Sequence, residues 1–454
     1  MTAHAPGRPA VGNRRMLALA LPMTLANVTT PLLGIVGAAV IGRLGDAALL
    51  GALALGAVIF DYLFWTFGAL RMATAGLTAQ AAGAGDAAEI DRALARALAV
   101  ALLVGATMIL LQGPLGAGAF ALAGASPAVT AALSDYFGIR IFAAPFTLAG
   151  YAILGSTLGR GRTDLGLALQ VAVNLVNTAL TLAFVLGAGL GVRGAALATV
   201  LAEAAGVGLG LLVLRRLGAR PWRVPLAEIA ERTGLTRMLA VNGDVMIRTA
   251  AIITAFGLFS ALGARTGDVA LAANAVLQNL FLIGSFFLDG FATAAEVLCG
   301  QALGARDEAG FRRAARLSLG WCLGFGLAVS ALFLALGGGF VDAVTTSPEV
   351  RAFAREFLPF AALTPLVAAA AFAYDGVYIG ATWTRPMRNL MLAALAAYLV
   401  LLLLTRGLGN AGLWWAILGF LAARSLGQAL LYPRLVRRAF PGPRPAPLAE
   451  ATGC

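Results

Sequence analysis

Long apolar segments, separated by short polar turns, make up most of the chain. Twelve of them contain about 20 residues or more, the length that a helix needs to cross the roughly 30 Å hydrocarbon core of a bilayer. The pattern therefore predicts an all-α polytopic membrane protein with twelve transmembrane helices. The predicted spans are 16–42, 47–73, 92–113, 134–157, 163–187, 192–215, 237–262, 268–297, 314–338, 353–380, 387–405 and 411–433.

The two halves of the chain repeat each other in sequence. The segment TAQAAGAGD (78–86) matches CGQALGARD (299–307), and GDAALLGALAL (45–55) matches GDVALAANAVL (267–277). Each half holds six predicted helices, so both insert in the same orientation and should be related by a pseudo-two-fold axis along the membrane normal. The predicted units are an N-terminal tail (1–15), an N-lobe (16–218), a linker (219–236), a C-lobe (237–438) and a C-terminal tail (439–454).

Arginines are shared unevenly between the two sides of the membrane that these spans define. The tails and the even-numbered loops hold 24 arginines, and the odd-numbered loops hold six. Arg71 is counted here with the second loop. Basic residues are enriched in cytoplasmic loops. Both termini and the linker are therefore predicted to be cytoplasmic.

Composition excludes several classes of protein. Hydrophobic residues make up 60% of the chain and charged residues 12%, with a mean hydropathy of +0.88, which excludes a soluble enzyme. The sequence contains no lysine, so it lacks the lysine of a Walker A loop. One histidine and three scattered cysteines make a zinc, haem or disulfide framework improbable, and no cofactor is predicted. The net charge of +12 does not indicate a nucleic-acid partner, because the arginines follow the loops.

A polar stripe runs along the predicted eighth helix. On a helical wheel its members fall within about 60° of one another. Ionisable groups in lipid cost roughly 2.5–3.5 kcal/mol each and usually line a pathway. We expect the stripe to face an internal cavity, and a buried network that fixes helix packing is the alternative. The five residues are Asn274, Gln278, Ser285, Asp289 and Glu296.

One helix earlier, Asp244 and Arg248 stand four residues apart. Side chains at this spacing lie on one face of a helix, so the two are expected to pair with each other.

Polar residues also follow single faces of two predicted N-lobe helices. Either stripe contributes to a cavity or joins neighbouring helices, since polar contacts between membrane helices are worth about 0.6 kcal/mol on average. Span five carries Gln170, Asn174, Asn177 and Thr181, and span four carries Tyr136, Arg140, Thr147 and Tyr151.

Asp61 lies midway along the second predicted span, beside Tyr62 and Trp65. An unpaired carboxylate at that depth is costly to keep ionised, which suits a proton carrier. The alternative is a buried ion pair with a residue such as Arg140. Asp375 and Glu203 lie nearer the ends of their spans, where a structural role is as well supported as a functional one.

Seven segments of the chain are distinctive. They are LALPMTLANVTTPLLGIVGAAVIGRLG (19–45), FDYLFWTFGALRMATAGLTAQAAG (60–83), NGDVMIRTAAI (242–252), LAANAVLQNLF (271–281), FFLDGFATAAEVLCGQALGARD (286–307), YDGVYIGATWTRPMRN (374–389) and GLWWAIL (412–418). They resemble the DinF-like branch of the multidrug and toxic compound extrusion (MATE) family, and the similarity keeps a consistent order from about residue 19 to residue 430. The resemblance implies two six-helix lobes forming a V in a bacterial-type inner membrane, and cation-coupled export by alternating access. It also implies that the protein is a monomer in the lipid membrane and needs no cofactor, with H⁺ or Na⁺ as the coupling ion.

The chain departs from this family in its N-lobe. Relatives usually carry an aspartate in span one that is taken to bind the coupling proton, and Gly37 occupies that position here. They also usually carry an acid four residues after the second asparagine of span five, where this chain has Thr181. Asp61 thereby becomes the candidate substitute. The residues that match the family's binding positions are Asn174, Asn177, Asp244, Arg248, Asn274, Gln278, Asp289 and Glu296.

Three functions remain open from the sequence. The first is an H⁺- or Na⁺-coupled exporter of amphipathic small molecules, cationic ones in particular, because acids and aromatic rings attract cations. The second is a flippase for a lipid-linked or amphiphilic precursor, which should expose several unpaired arginines in its cavity. The arginines that we place within the spans are Arg140, Arg248 and Arg424, and Arg248 is expected to pair with Asp244, which disfavours the flippase. The third is a membrane scaffold without transport activity, which the buried acids disfavour.

Overall fold

Helices account for nearly all of the structure, a computed structural model that describes residues 11–43 and 45–441. Sixteen α-helices occur in this part of the chain. They are α1 (Asn13–Gly42), α2 (Ala47–Phe67), α3 (Ala69–Ala84), α4 (Ala87–Leu110), α5 (Gln112–Ala123), α6 (Pro127–Arg140), α7 (Ala144–Gly159), α8 (Thr163–Thr181), α9 (Gly191–Arg216), α10 (Leu226–Ile229), α11 (Arg232–Ala264), α12 (Asp268–Gly304), α13 (Glu308–Val344), α14 (Pro348–Gly380), α15 (Thr384–Leu404) and α16 (Asn410–Ala439).

These helices form twelve membrane-spanning segments in the described part of the chain. Eleven of them are long and apolar enough to cross a bilayer. The twelfth is α1, whose 30 residues also exceed the length required. Two spans are built from consecutive helices, α2 with α3 and α6 with α7. The predicted twelve-helix architecture is confirmed.

The second span extends further than predicted, to Ala84 rather than residue 73. Arg71, which was predicted at the very end of the span and counted with the second loop, therefore lies well inside the helix, and counting it with the loop was wrong. The helix continues past this charge because mainly small residues follow it, and it ends where Gly85 adopts a left-handed conformation. The Asp86 side chain then accepts from the amide of Glu89 and caps α4.

Closely packed helix pairs occupy equivalent places in the two halves of the chain. In the first half, added side-chain carbons at Gly155 and Gly159 of α7 would collide with backbone oxygens of α3. In the second half, Gly376 and Gly380 of α14 approach α12 equally closely. Glycine permits these approaches because it lacks a Cβ.

The two lobes meet at one end of the molecule, where α3 and α12 cross. A Cβ at Gly83 would overlap the backbone oxygen of Gln301, and one at Gly304 would overlap that of Gln80. We call this region, formed by Gln80, Gly83, Gln301 and Gly304, the closed end.

Three buried apolar cores support this arrangement. One lies in the N-lobe and includes Phe60, and one lies in the C-lobe and includes Trp414. The third spans both lobes at the closed end, where Met16 of α1 and Leu158 of α7 join Phe291 and other C-lobe residues. Because α1 packs against α12, the first helix of the chain contributes directly to the contact between the lobes.

Candidate functional site

Asp375 of α14 is the centre of a buried charge network in the C-lobe. It forms ion pairs with Arg248 of α11 and with Arg424 of α16, whose Nη2 lies 2.9 Å from Asp375 Oδ2. The side chain of Gln428 donates to Asp375 Oδ1 at 2.6 Å. One carboxylate thus joins three helices, a role that the sequence left undecided for this residue.

Asp244 does not pair with Arg248 as predicted. Its carboxylate accepts from Arg388 Nη1 at 2.7 Å and from the Thr384 hydroxyl at 2.8 Å, both on α15. The i,i+4 spacing puts Asp244 and Arg248 on one side of α11. There α15 supplies the partner of Asp244, and α14 supplies that of Arg248. The two residues therefore join α11 to different neighbours.

The polar stripe of α12 divides into two parts. In its first part, the buried Asn274 donates to Asn410 Oδ1 at 2.6 Å and accepts from Trp414 Nε1 at 3.0 Å. Gln278 Nε2 donates to Ser260 Oγ at 3.3 Å, and Ser285 donates to a backbone oxygen of its own helix. The contacts of Asn274 and Gln278 join neighbouring helices, and that of Ser285 stays within α12, so the expectation that all five residues line one cavity was wrong.

Asp289, in the second part of the stripe, has a different environment. It is exposed, and it forms no hydrogen bond or ion pair with any described residue. Its position is fifteen residues before Gly304, or about 22 Å along the helix from the closed end. The charges of Arg71 and Arg248 reach it at longer range.

Glu296, two turns further along α12, is 3% exposed and faces the other lobe. Its Oε2 lies 4.0 Å from Nη1 of Arg71 on α3. Arg71 Nη1 and Glu296 Oε1 are both buried without a hydrogen-bond partner. This cross-lobe charge pair was missed because Arg71 was assigned to a loop; the uninterrupted run of small residues up to Gly83 was the signal that would have placed it in the helix.

The N-lobe presents an exposed acid near Arg140, which forms no ion pair with any described residue. Asp61 of α2 is exposed, as are Tyr62 and Trp65, at 56% and 55%. Arg140 stacks on Phe60, with its guanidinium carbon 5.2 Å from the ring centroid. No ion pair joins Arg140 to Asp61 in the described structure, so the predicted alternative of a direct pair is wrong.

The charge of Arg140 nevertheless acts on two N-lobe acids, Asp61 and Glu203. Glu203 comes from α9, and its Oε2 would lie 4.0 Å from a Cβ at Gly150 of α7. Three helices of the N-lobe therefore bring charged groups to one region.

The amides of span five form contacts along their own helix. Gln170 Nε2 donates to Asn174 Oδ1, and the Thr181 hydroxyl donates to Asn177 Oδ1, both at 3.3 Å. Asn174 Nδ2 is buried without a hydrogen-bond partner among the described residues. At Gly37, where the resemblance implies an aspartate in relatives, an added Cβ would meet Leu53 Cδ2 at 3.9 Å as its single neighbour among the described side chains.

Two glutamines fasten the closed end with matching contacts. Gln80 Nε2 donates to the Gly380 oxygen at 2.8 Å, and Gln301 Nε2 donates to the Gly159 oxygen at 3.1 Å. Each donation crosses between the lobes and satisfies a carbonyl at the end of a helix. We call Gln80 and Gln301 the glutamine clasp.

An arginine from the opposite lobe completes each half of the clasp. Arg237 Nη2 donates to Gln80 Oε1, and Arg15 Nη2 donates to Gln301 Oε1, both at 2.8 Å. The glutamine clasp and its two arginines therefore follow the internal repeat of the sequence, because each half of the chain contributes one glutamine and one arginine.

Residues 22–183 match the MatE family model, and residues 245–404 match it a second time. The chain is 38% identical over 417 residues to DNA damage-inducible protein F of Escherichia coli, which covers 92% of this chain and 91% of that protein. It is 31% identical over 450 residues to a probable multidrug resistance protein NorM of Deinococcus radiodurans, with 94% and 96% covered. A solved multidrug resistance MATE family transporter in an outward-facing conformation superposes with a TM-score of 0.83 at 17% identity, over 94% and 96% of the two chains.

Proposed function

Since this chain belongs to the MatE family of multidrug efflux transporters, we propose that it exports amphipathic, cationic small molecules in antiport with H⁺ or Na⁺. Transport would proceed by alternating access to a cavity between the lobes. The protein would act as a monomer in the inner membrane.

The observation that carries this proposal is a pair of unpartnered acids, one in each lobe. Asp61 and Asp289 are exposed within membrane spans and form no ion pair with a described residue. An ionised carboxylate at such a depth is costly without a counter-charge, so it favours binding a proton, a metal cation or a cationic substrate. If these bind in turn at the same acid, uptake of one releases the other, which is the physical basis of antiport.

The cross-lobe pair of Arg71 and Glu296 supports alternation between two states. Its atoms come from α3 and α12, the helices that meet at the closed end. Opening this end would separate the two charges, and neutralisation of Glu296 would lower the cost of doing so. Ion binding and lobe movement would thereby be coupled.

The closed end is proposed to face the cytoplasm. With Arg71 moved into its span, 23 arginines remain on the side of the tails and even-numbered loops, against six on the other. This asymmetry supports cytoplasmic termini. The conformation described here would then be closed to the cytoplasm.

A flippase for anionic lipid precursors is less well supported. Such a cavity would need several unpaired arginines, yet Arg248 and Arg424 bind Asp375, and Arg71 lies beside Glu296. Arg140 alone remains of the three arginines predicted in spans. The pairing of the others favours the exporter.

Transport by the purified full chain in proteoliposomes tests the proposal. Ethidium serves as the amphipathic cation, and proton and sodium gradients are imposed in separate experiments. We expect the accumulation of ethidium to depend on one of the two gradients. Protein-free liposomes supply the background. Movement of a fluorescent lipid without any gradient-dependent movement of ethidium would replace the exporter with the flippase.

A further inference from the structure

A pocket of about 330 Å³ lies beyond the end of α9, where the chain enters the connection between the lobes. Its lining consists of Arg215, Arg220, Trp222 and Arg223. The pocket shares no lining residue with the sites described above, and it lies in the connection that is predicted to be cytoplasmic. Transport as proposed does not use it.

The three arginines converge without a counter-charge. None of their guanidinium groups forms an ion pair or a side-chain hydrogen bond with any residue that the structure describes. The acid at this place, Asp91, accepts instead from the backbone amide of Arg220 at 3.1 Å and lies 3.6 Å from Arg160. Three cations gathered in this way repel one another, so an anion bound among them would be stabilised.

The connection that carries the pocket is fixed rather than free. Ala219 and Pro221 are buried, and the amide of Arg220 is held by Asp91 as described. Further along, Glu228 accepts from Arg92 Nε of α4 at 2.6 Å. The arginines are therefore held near one another by contacts that do not involve their charges, which reduces the entropy lost when a ligand binds.

Exposed apolar residues place the pocket at the surface of the membrane. Leu209 and Leu212 of α9 are 40% and 44% exposed, as expected for side chains that face lipid, and Arg215 follows Leu212 by about one helical turn. Trp222 is 55% and Leu226 is 82% exposed on the connection itself. Tryptophan is typical of the headgroup region, where one edge of the ring contacts lipid and the other water.

We propose that this pocket binds the phosphate of an anionic phospholipid, such as phosphatidylglycerol, in the leaflet at the closed end. Arginine recognises phosphate through paired N–H donors, and clusters of basic residues beside a span attract anionic headgroups. Inorganic phosphate offers the same charge. The exposed Trp222 and Leu226 favour the lipid, because they supply contacts for acyl chains that a free ion cannot use.

Native mass spectrometry of the purified full chain tests this site with phosphatidylglycerol and phosphatidylcholine of identical acyl chains. The pocket variant carries Arg215→Gln, Arg220→Gln and Arg223→Gln. The control variant loses the same charge at exposed positions outside the pocket, through Arg216→Gln, Arg232→Gln and Arg437→Gln. We expect affinity for the first phosphatidylglycerol to fall at least about tenfold in the pocket variant and to change less than about twofold in the control.

Equal losses in the two variants would overturn the proposal, because they would show a diffuse effect of net charge. Equal binding of phosphatidylcholine would overturn it as well. Displacement of phosphatidylglycerol by millimolar inorganic phosphate would assign the pocket to a free anion instead. If the triple variant does not fold, Arg223→Gln alone should give a smaller loss in the same direction, and wild-type affinity in that variant would count against the site.

Discussion

Four acids within the membrane spans fall into two groups according to their partners. Asp375 and Asp244 are surrounded by donors from neighbouring helices, and each is held by at least one arginine. Asp61 and Asp289 are exposed without such partners. The first group joins the helices of the C-lobe, and the second is the one proposed to bind ions and substrates.

Asp375→Asn should strongly destabilise the protein. The substitution leaves Arg248 and Arg424 buried without their shared counter-charge, and breaking one partner of a buried pair typically costs about 3–5 kcal/mol. The midpoint of thermal unfolding in detergent should fall clearly below that of Asp342→Asn, which removes the two ion pairs of an acid that is 38% exposed. A variant that unfolds like the wild type but no longer transports would move Asp375 into the group of coupling acids.

The sequence predicts which residues of the C-lobe site are polar and buried, but not their partners. Helical spacing correctly puts Asp244 and Arg248 on one side of α11. Their pairing depends on which neighbouring helix approaches that side, and α15 supplies Arg388 while α14 supplies Asp375. Such choices follow from tertiary packing, which the periodicity of a single helix does not contain.

Helix packing at the closed end depends on glycines and on the glutamine clasp. Gly83 and Gly304 allow α3 and α12 to cross with their backbones in contact. Gln80 and Gln301 then fasten each lobe to a carbonyl of the other. The sequence repeat identifies these four positions as equivalent pairs. The predicted spans end before them, at residues 73 and 297, so the contact between the lobes is not predicted.

Gly83→Ala should open the closed end. The new methyl group would overlap the backbone oxygen of Gln301, and backbone cannot move aside as a flexible side chain can. Spin labels at the exposed Ala88 and Ala309, with the native cysteines replaced by alanine, report the distance between the lobes at this end. We expect a longer distance in Gly83→Ala than in the wild type.

Gly320→Ala is the matched control for this measurement, since a Cβ at Gly320 meets no described residue within 4 Å. It should leave the distance unchanged. An unchanged distance in Gly83→Ala as well would show that the lobes are held together elsewhere.

At the scale of the whole molecule, the number of spans and the two-fold repeat follow from the sequence because each depends on local patterns. About 20 apolar residues specify a span whatever surrounds it. The conformation does not follow in this way, because contacts such as Arg71 with Glu296 join residues more than two hundred positions apart. The structure supplies a molecule closed at one end, with candidate coupling acids further along the spans.

Ethidium transport by Asp61→Asn and Asp289→Asn, driven by the same gradient in parallel vesicles, tests most directly whether these acids couple export to an ion. The control is Asp268→Asn, which neutralises an exposed acid in the first turn of α12. Loss of the charge removes a site that a proton or cation and the substrate would occupy in turn. We predict a loss of at least about tenfold for both variants, with Asp268→Asn close to the wild type. Full coupling in Asp61→Asn with loss only in Asp289→Asn would move the ion site to the C-lobe, and wild-type transport by both variants would contradict coupling through these acids.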